Sequence, residues 1–442
     1  MTDSPDIDID AAIPQPVTLT VKVGDQPQAN VRVYFQASDS SLISSALTDA
    51  TGVASALMPS GGYVTAIDPF DLPIPAGLPQ RQVITYAGVK SGDHLVMAEL
   101  GPDSTQITVH APTDTTAGVV EHRLQAACGY GYASASAMPP TMFDMYVPSP
   151  CPTTDFLTWS LDDGGGLVHW AYAPNTTVSA TTDLSTLLLA GTPTQKTYTV
   201  NNTDDFIGVD IEQRLFSPRG LVWSTSTAAI DPDQDQLLAT SLQLPAFPNA
   251  VDVVNVRGYR GGSEHWFLDW GQVAPSYTLD AASRALYHIT AGPELDTTTH
   301  QITWTQETTG VTPDFVSVWG YASDEKMSWQ FRVIAPYGAN VTMPTLPTDD
   351  GDYNIGAEDF YRLDTFVMGK VPGGYDVVRP HAYETASALG YFDVPSTLVV
   401  SATGSATIEL WRDLVLAERT SRVHRPIFRS VRRGPHHVLS RD

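Results

Sequence analysis

Val17-Thr-Leu-Thr-Val-Lys-Val23 alternates apolar and polar side chains, and Gly24-Asp25 follows it as a turn signal. Ala29-Asn-Val31-Arg-Val33-Tyr-Phe35 repeats the same two-residue period. Successive side chains of a strand point to opposite faces, so this period places Val17, Leu19 and Val21 together, and Val31, Val33 and Phe35 together. Thr48-Asp49-Ala-Thr-Gly52 is a further turn, leading into Val53-Ala-Ser-Ala-Leu57. Ser60-Gly61-Gly62-Tyr63-Val64-Thr65-Ala66-Ile67 forms another hairpin arm, and Ile84 to Val96 closes the unit. Short strands with frequent turns predict a β-sandwich over residues 14–112.

The words GDQPQANVRVYF, TDATGVASALMP and GGYVTAI within Val17 to Ile67 resemble a carboxypeptidase-regulatory-like or bacterial immunoglobulin-like domain. The resemblance implies a sandwich module of the kind that serves as a spacer or accessory domain in secreted proteins. It implies no catalytic residue.

Composition extends the β reading to the whole chain. Gly and Pro each occur 33 times among 442 residues, beside many Thr, Val, Tyr and Trp, which is strand-and-turn usage. Forty-nine acidic residues face 24 basic ones, and a net charge of -25 repels phosphate backbones, which argues against nucleic acid as a partner. No apolar run reaches the roughly 18–20 residues of a membrane helix. The opening Met1-Thr-Asp-Ser-Pro-Asp-Ile-Asp-Ile-Asp10 is acidic where a signal peptide would be basic and then apolar, so no signal peptide is expected in this chain. Residues 1–13 read as an acidic flexible leader. The only two cysteines, Cys128 and Cys151, flank a Pro-rich loop and lie in no metal-spaced motif. A structural disulfide is expected, with two free thiols as the alternative, and the disulfide favours an extracellular or outer cell-surface location.

Beyond residue 112 a β-rich domain is expected over 113–295 and a sandwich-like domain over 296–411. A weak repeat links Gly258-Tyr259…Trp266…Ala274-Pro275 with Gly320-Tyr321…Trp329…Ala335-Pro336, and Leu167-Val-His-Trp170-Ala-Tyr-Ala-Pro174 is a partial third copy. These copies are either hairpins of separate sandwiches or parts of one larger sheet. Helix is expected only at Asp280 to Tyr287 and Ala357 to Tyr361. Residues 412–442 form a short Arg-rich tail with eight arginines against three acidic residues. The predicted fold class is all-β: tandem immunoglobulin-like sandwiches ending in this basic tail.

Catalytic signals are sparse. The chain has no G-x-S-x-G elbow, no H-E-x-x-H helix and no P-loop. Asp231-Pro-Asp233-Gln-Asp235 has the alternating oxygens of a calcium loop, but Gln236 and Leu242 stand where an EF-hand needs Gly and Glu. Asp350, Asp352 and Asn354 alternate similarly, with Ile355 in the place of Gly. Both loops are calcium candidates whose alternative is a solvated acidic turn; no other cofactor is expected. Eleven scattered histidines leave open a metal site formed by convergence in the fold. Trp159, Trp170, Trp266, Trp270, Trp304, Trp319 and Trp329 fall on β segments, where they either fill a core or form a sugar-stacking platform.

The expected function is an extracellular or cell-surface adhesion, binding or scaffold protein of bacterial type. Its partner would be a protein or glycan ligand, or a second copy of itself in a homo-oligomer or filament. The alternative is a secreted hydrolase acting on glycans, whose paired carboxylates leave no sequence signature. The contrast between the basic tail and the acidic body predicts that the tail docks on an acidic surface, either its own body or a neighbouring subunit. The alternatives are a disordered basic extension or an envelope-anchoring signal, and self-assembly rests on the neighbouring-subunit case. Deleting residues 412–442 is expected to shrink the assembly, as is raising the salt, which shortens the Debye length from ~10 Å at 0.1 M to ~3 Å at 1 M. Light scattering that shows one size throughout would rule out the intersubunit contact.

Overall fold

A computed structural model describes residues 14–24, 26–68, 80–99, 104–128, 132–136, 142–148, 151–206, 208–226, 237–324, 327–390 and 403–412. The chain is all-β, built of sheets packed face to face in sandwiches. Its backbone is a twelve-stranded sheet. In spatial order the strands are Gly220–Ser226, Gly208–Ser217, Val251–Arg260, Ser263–Gln272, Gly404–Arg412, Phe360–Lys370, Phe315–Ser323, Ser328–Pro336, Gln80–Val89, Gly62–Asp68, Arg32–Gln36 and Leu42–Leu47. Every pairing within it is antiparallel except Gln80–Val89 on Ser328–Pro336, which is parallel. Both repeat hairpins lie in this one sheet, with Trp266 and Trp329 fully buried in it.

Smaller sheets cover both faces. Strand Gln15–Val23 pairs with Val53–Met58 and His94–Glu99. Its Val17, Leu19 and Val21 pack with Phe35, Val64, Tyr86, Phe315 and Ile408 of the long sheet. On the other face Trp329, Phe331, Val333, Val316, Val318 and Tyr34 pack with Leu295, Ile302 and Val341 of a three-stranded sheet. Burial on both faces explains why Phe315-Val-Ser-Val318 and Phe331-Arg-Val-Ile334 depart from strict alternation.

A separate core joins the sheet containing Val119–Ala126 and Thr153–Asp162 to the one containing Ser104–His110 and Met142–Pro148. Cys128 and Cys151 are bonded across its edge, with Cα atoms 6.1 Å apart. Ala126 pairs with Phe156 and the Cys128 N–H donates to Thr154 Oγ1 at 2.8 Å, so the bond continues an existing ladder. It ties the two ends of a loop that crosses to the opposite sheet.

Helix is sparse, and its placement agrees with expectation within Asp280 to Tyr287 and differs elsewhere. Asp280 caps a single turn, Ala281–Arg284, by accepting from the Ser283 N–H. Ala357 to Tyr361 is not helical: Phe360 and Tyr361 pair with Ser323 and Ala322 and open a strand. The longest helix among the described residues, Ala382–Gly390, follows the turn Tyr375–Val378. Tyr375, Val378, Ala382 and Ala386 recur at helical spacing and all enter the core beneath Gln15–Val23. Arg379 anchors the segment on Asp93, with bonds of 2.6 and 3.0 Å.

Thiol titration of the unfolded, unreduced protein is expected to find no free cysteine. Replacing both cysteines by Ser should lower stability by about 3 kcal/mol in a denaturant melt, the loss expected for opening a loop of this size.

Candidate functional site

Strand Gly404–Arg412 runs between Ser263–Gln272 and Phe360–Lys370, and its register sets Glu409 directly opposite His265. Both side chains are fully buried. His265 Nε2 and Glu409 Oε2 form an ion pair without a well-directed hydrogen bond. Glu409 Oε1 accepts from Ser263 Oγ at 2.5 Å and from the Ile289 N–H at 3.3 Å, and lies 3.2 Å from His288 Nδ1. Phe206 closes the His265 side edge-to-face, with ring centroids 5.4 Å apart. Burial pushes the Glu409 carboxyl up. The charge on His265 and the polar contacts from His265, His288 and Ser263 outweigh that and hold it below the ordinary Glu range.

His265, His288 and Glu409 form the one group of three metal-capable side chains among the described residues, with ligand atoms within 4.8 Å of one another. The donor types suit zinc. The surroundings fit an ion less well. Metal-binding imidazoles usually hand their second N–H to an acceptor, whereas His265 Nδ1 has no partner among the described residues. Nor is any of the three open to solvent by more than 7%. The arrangement therefore works as an ionic brace inside the sheet.

The open site lies elsewhere. A cleft of about 850 Å³ is lined by Trp170 and Tyr172 on strand Leu167–Thr177, by Leu188 and Gly191, by Arg219, and by Asn249. Trp170 and Tyr172 are two residues apart and so share a face. Trp170 rests on Gly191, where any Cβ would stand 2.3 Å from its ring, and its indole N–H donates to the Thr192 carbonyl at 3.1 Å. Tyr172 stacks on Phe247 with ring centroids 4.6 Å apart.

The polar floor centres on the buried Asp155. Its carboxylate accepts from the Asn175 N–H at 2.7 Å and from Tyr172 OH at 3.0 Å, and Arg219 Nε stands 3.5 Å away. Arg219 also donates to Asn175 Oδ1, from Nη2 at 2.8 Å and from Nε at 3.2 Å. Burial, then the bond to Asp155 and its charge, push the Tyr172 phenol up to about 12. Asn175 and Asn249 both adopt left-handed backbone, with φ of 52° and 59°, a region Asn tolerates better than most residues.

Trp159, Trp266, Trp270 and Trp329 are core residues, whereas Trp170, Trp304 and Trp319 are half-buried. Among the calcium candidates, Asp231, Asp233 and Asp235 lie outside the described residues. Asp350 Oδ2 accepts from Tyr34 OH at 2.5 Å and lies 3.7 Å from Arg32. Asn354 bonds the Leu346 backbone through both amide atoms, and Asp352 is exposed. The chain beyond Arg412 lies outside the described residues, and so does nearly all of the Arg-rich tail.

No family model and no curated protein sequence matches the chain. Among solved structures it is similar to the Bacillus anthracis TIE protein, at 10% identity over 61% of this chain and 50% of that one, with a TM-score of 0.15. It is also similar to the FN1–FN3 domains of chicken CNTN1, at 9% identity over 56% and 85% of the respective chains, with a TM-score of 0.14. The chain thus spans half the length of the first. At these scores neither likeness carries an argument about function.

Replacing Glu409 by Ala leaves two buried imidazoles facing each other and should cost about 3–5 kcal/mol. Because the folded carboxyl titrates below its unfolded value, its contribution is present above the ordinary Glu range and fades as pH falls through the lowered folded value. Melts run downward from neutral pH are expected to begin losing this contribution below the ordinary Glu range in the native protein. In Glu409→Gln, that part of the acid dependence should be missing.

Proposed function

We propose that this chain is an extracellular or surface-displayed binding protein that holds a glycan in the cleft beside Trp170 and Tyr172. The single observation that carries the reading is the cleft itself: an aromatic wall above a polar floor whose groups are already bonded to one another. Sugars present apolar ring faces that stack on aromatic side chains and hydroxyls that need fixed donors and acceptors. Trp170 and Tyr172 supply the first, and Arg219 and Asn249 supply the second.

Binding suits the site better than turnover. Asp155 is the carboxylate of the cleft floor, and Tyr172, Asn175 and Arg219 all occupy its oxygens. A glycosidase would instead need two carboxyl groups flanking the bound sugar. The Cys128–Cys151 bond supports an oxidising compartment. In this reading the N-terminal strands, with their carboxypeptidase-regulatory-like turns, act as a rigid spacer that displays the cleft.

The test is a glycan array probed with the full chain, followed by calorimetry on the best binder. Arg219→Ala and Asn249→Ala should each weaken binding roughly tenfold, the loss of one good hydrogen bond to a ligand. Retained thermal transitions would show that both variants fold. An array with no binder, or a binder indifferent to both variants, would overturn the proposal.

A further inference from the structure

Between the sheet of Thr194–Asn201 and the long sheet lies a second buried polar group, none of whose members lines the cleft. Lys196 is 2% exposed, Gln213 is fully buried and Asp252 is 4% exposed. Lys196 comes from the covering sheet, whereas Gln213 and Asp252 sit on neighbouring strands of the long sheet. Gln213 is opposite Val254, so Asp252, two residues from Val254, shares its face.

The contacts have a direction. Asp252 Oδ2 takes the Lys196 ammonium, and Asp252 Oδ1 takes the Gln213 side-chain N–H. The two oxygens of one carboxylate thus bridge an amine and an amide nitrogen. Tyr198 OH donates to the Gln213 carbonyl oxygen at 2.5 Å, and Lys196 Nζ lies 3.4 Å from that same oxygen. The Gln213 amide is fixed further by the Val253 carbonyl, which accepts from its nitrogen at 3.0 Å. The Tyr198 and Tyr277 rings stand 5.3 and 6.0 Å from the ammonium. Burial, then the charge on Asp252, keep the Tyr198 phenol protonated and able to donate.

We propose that Lys196 and Gln213 form an intramolecular amide cross-link, with Asp252 as the proton carrier and Tyr198 polarising the carbonyl. Asp252 accepts a proton from the Lys196 ammonium, and the free amine attacks Gln213 Cδ. The new C–N bond forms as the carbonyl π pair moves onto oxygen, where the Tyr198 hydroxyl stabilises it. Asp252 then protonates the Gln213 nitrogen, which leaves as ammonia when the carbonyl re-forms. The second Lys196 proton passes to Asp252 and leaves with the ammonia as ammonium. The products are one secondary amide, one ammonium ion and the original carboxylate, with no oxidant or cofactor required.

Placement favours Gln213 over Asp252 as the acyl partner. An ionised carboxylate is a poor electrophile, whereas the Gln213 carbonyl carries a hydroxyl donor and has its leaving nitrogen on the acid. Holding the groups in contact in a closed core supplies the effective concentration that an uncatalysed amide exchange lacks. The product would bond the two layers of the sandwich to each other.

Intact mass spectrometry of the reduced full-length chain tests the proposal. The expected result is a mass lower than that of the sequence by one ammonia, together with a branched peptide joining Lys196 to Gln213 after proteolysis. Asp252→Asn and Lys196→Met should both restore the full mass. The branched peptide comes from the native protein, so the test does not depend on either variant folding. The full sequence mass with separate linear peptides for Lys196 and Gln213 would overturn the cross-link. A loss of water with a branch at Asp252 would overturn the choice of Gln213.

Discussion

Strand Gly404–Arg412 is the constraint on which the long sheet depends. It hydrogen-bonds Ser263–Gln272 on one edge and Phe360–Lys370 on the other, and among the described residues no other strand joins those two halves of the ladder. Its apolar residues Ala406, Ile408 and Leu410 enter the same core as Val17, Phe35 and Trp266. Glu409 points to the other side and meets His265 and His288. A charged residue at the centre of a doubly covered strand is tolerable only when fully partnered. The same partnering discriminates register, because a slip by one residue would turn Glu409 into the apolar core and leave both imidazoles alone.

The all-β class was legible because its signal is local. The period-two runs from Val17 to Phe35 became strands, and Val17, Leu19 and Val21 went to one core as their spacing required. The cysteine pair was legible because two isolated cysteines around a long loop leave few alternatives. The repeat words around Trp266 and Trp329 marked two hairpins, but sequence alone could not place both in one sheet. That sheet is assembled from strands hundreds of residues apart, and long-range order leaves no local trace.

The polar sites were hidden for the same reason. Glu409 meets His265 only through the pairing of distant strands, and Lys196, Gln213 and Asp252 converge from two sheets. Each of these residues sits in an ordinary strand word. A partial signal did exist: Lys196 and Gln213 fall at apolar-phase positions of their strands, two residues from the buried Tyr198 and Ile211. A charged or amide side chain in the apolar phase of a strand is costly unless it has a partner, which makes it worth a search. The cleft was half-visible. Trp170 stood among the aromatic candidates, but its floor and far wall come from Asp155 on strand Thr153–Asp162 and from the loops at Arg219 and Asn249.

The late position of strand Gly404–Arg412 also has a kinetic consequence. A sheet whose central strand is the latest of its twelve described strands in chain order cannot complete itself until that strand has emerged. Until residue 412 is free, strands Ser263–Gln272 and Phe360–Lys370 each present an open, apolar edge. Such edges recruit neighbouring chains, and topologies rich in distant pairings fold slowly. Folding should therefore remain vulnerable to association until this single segment slots into the gap and removes both edges at once.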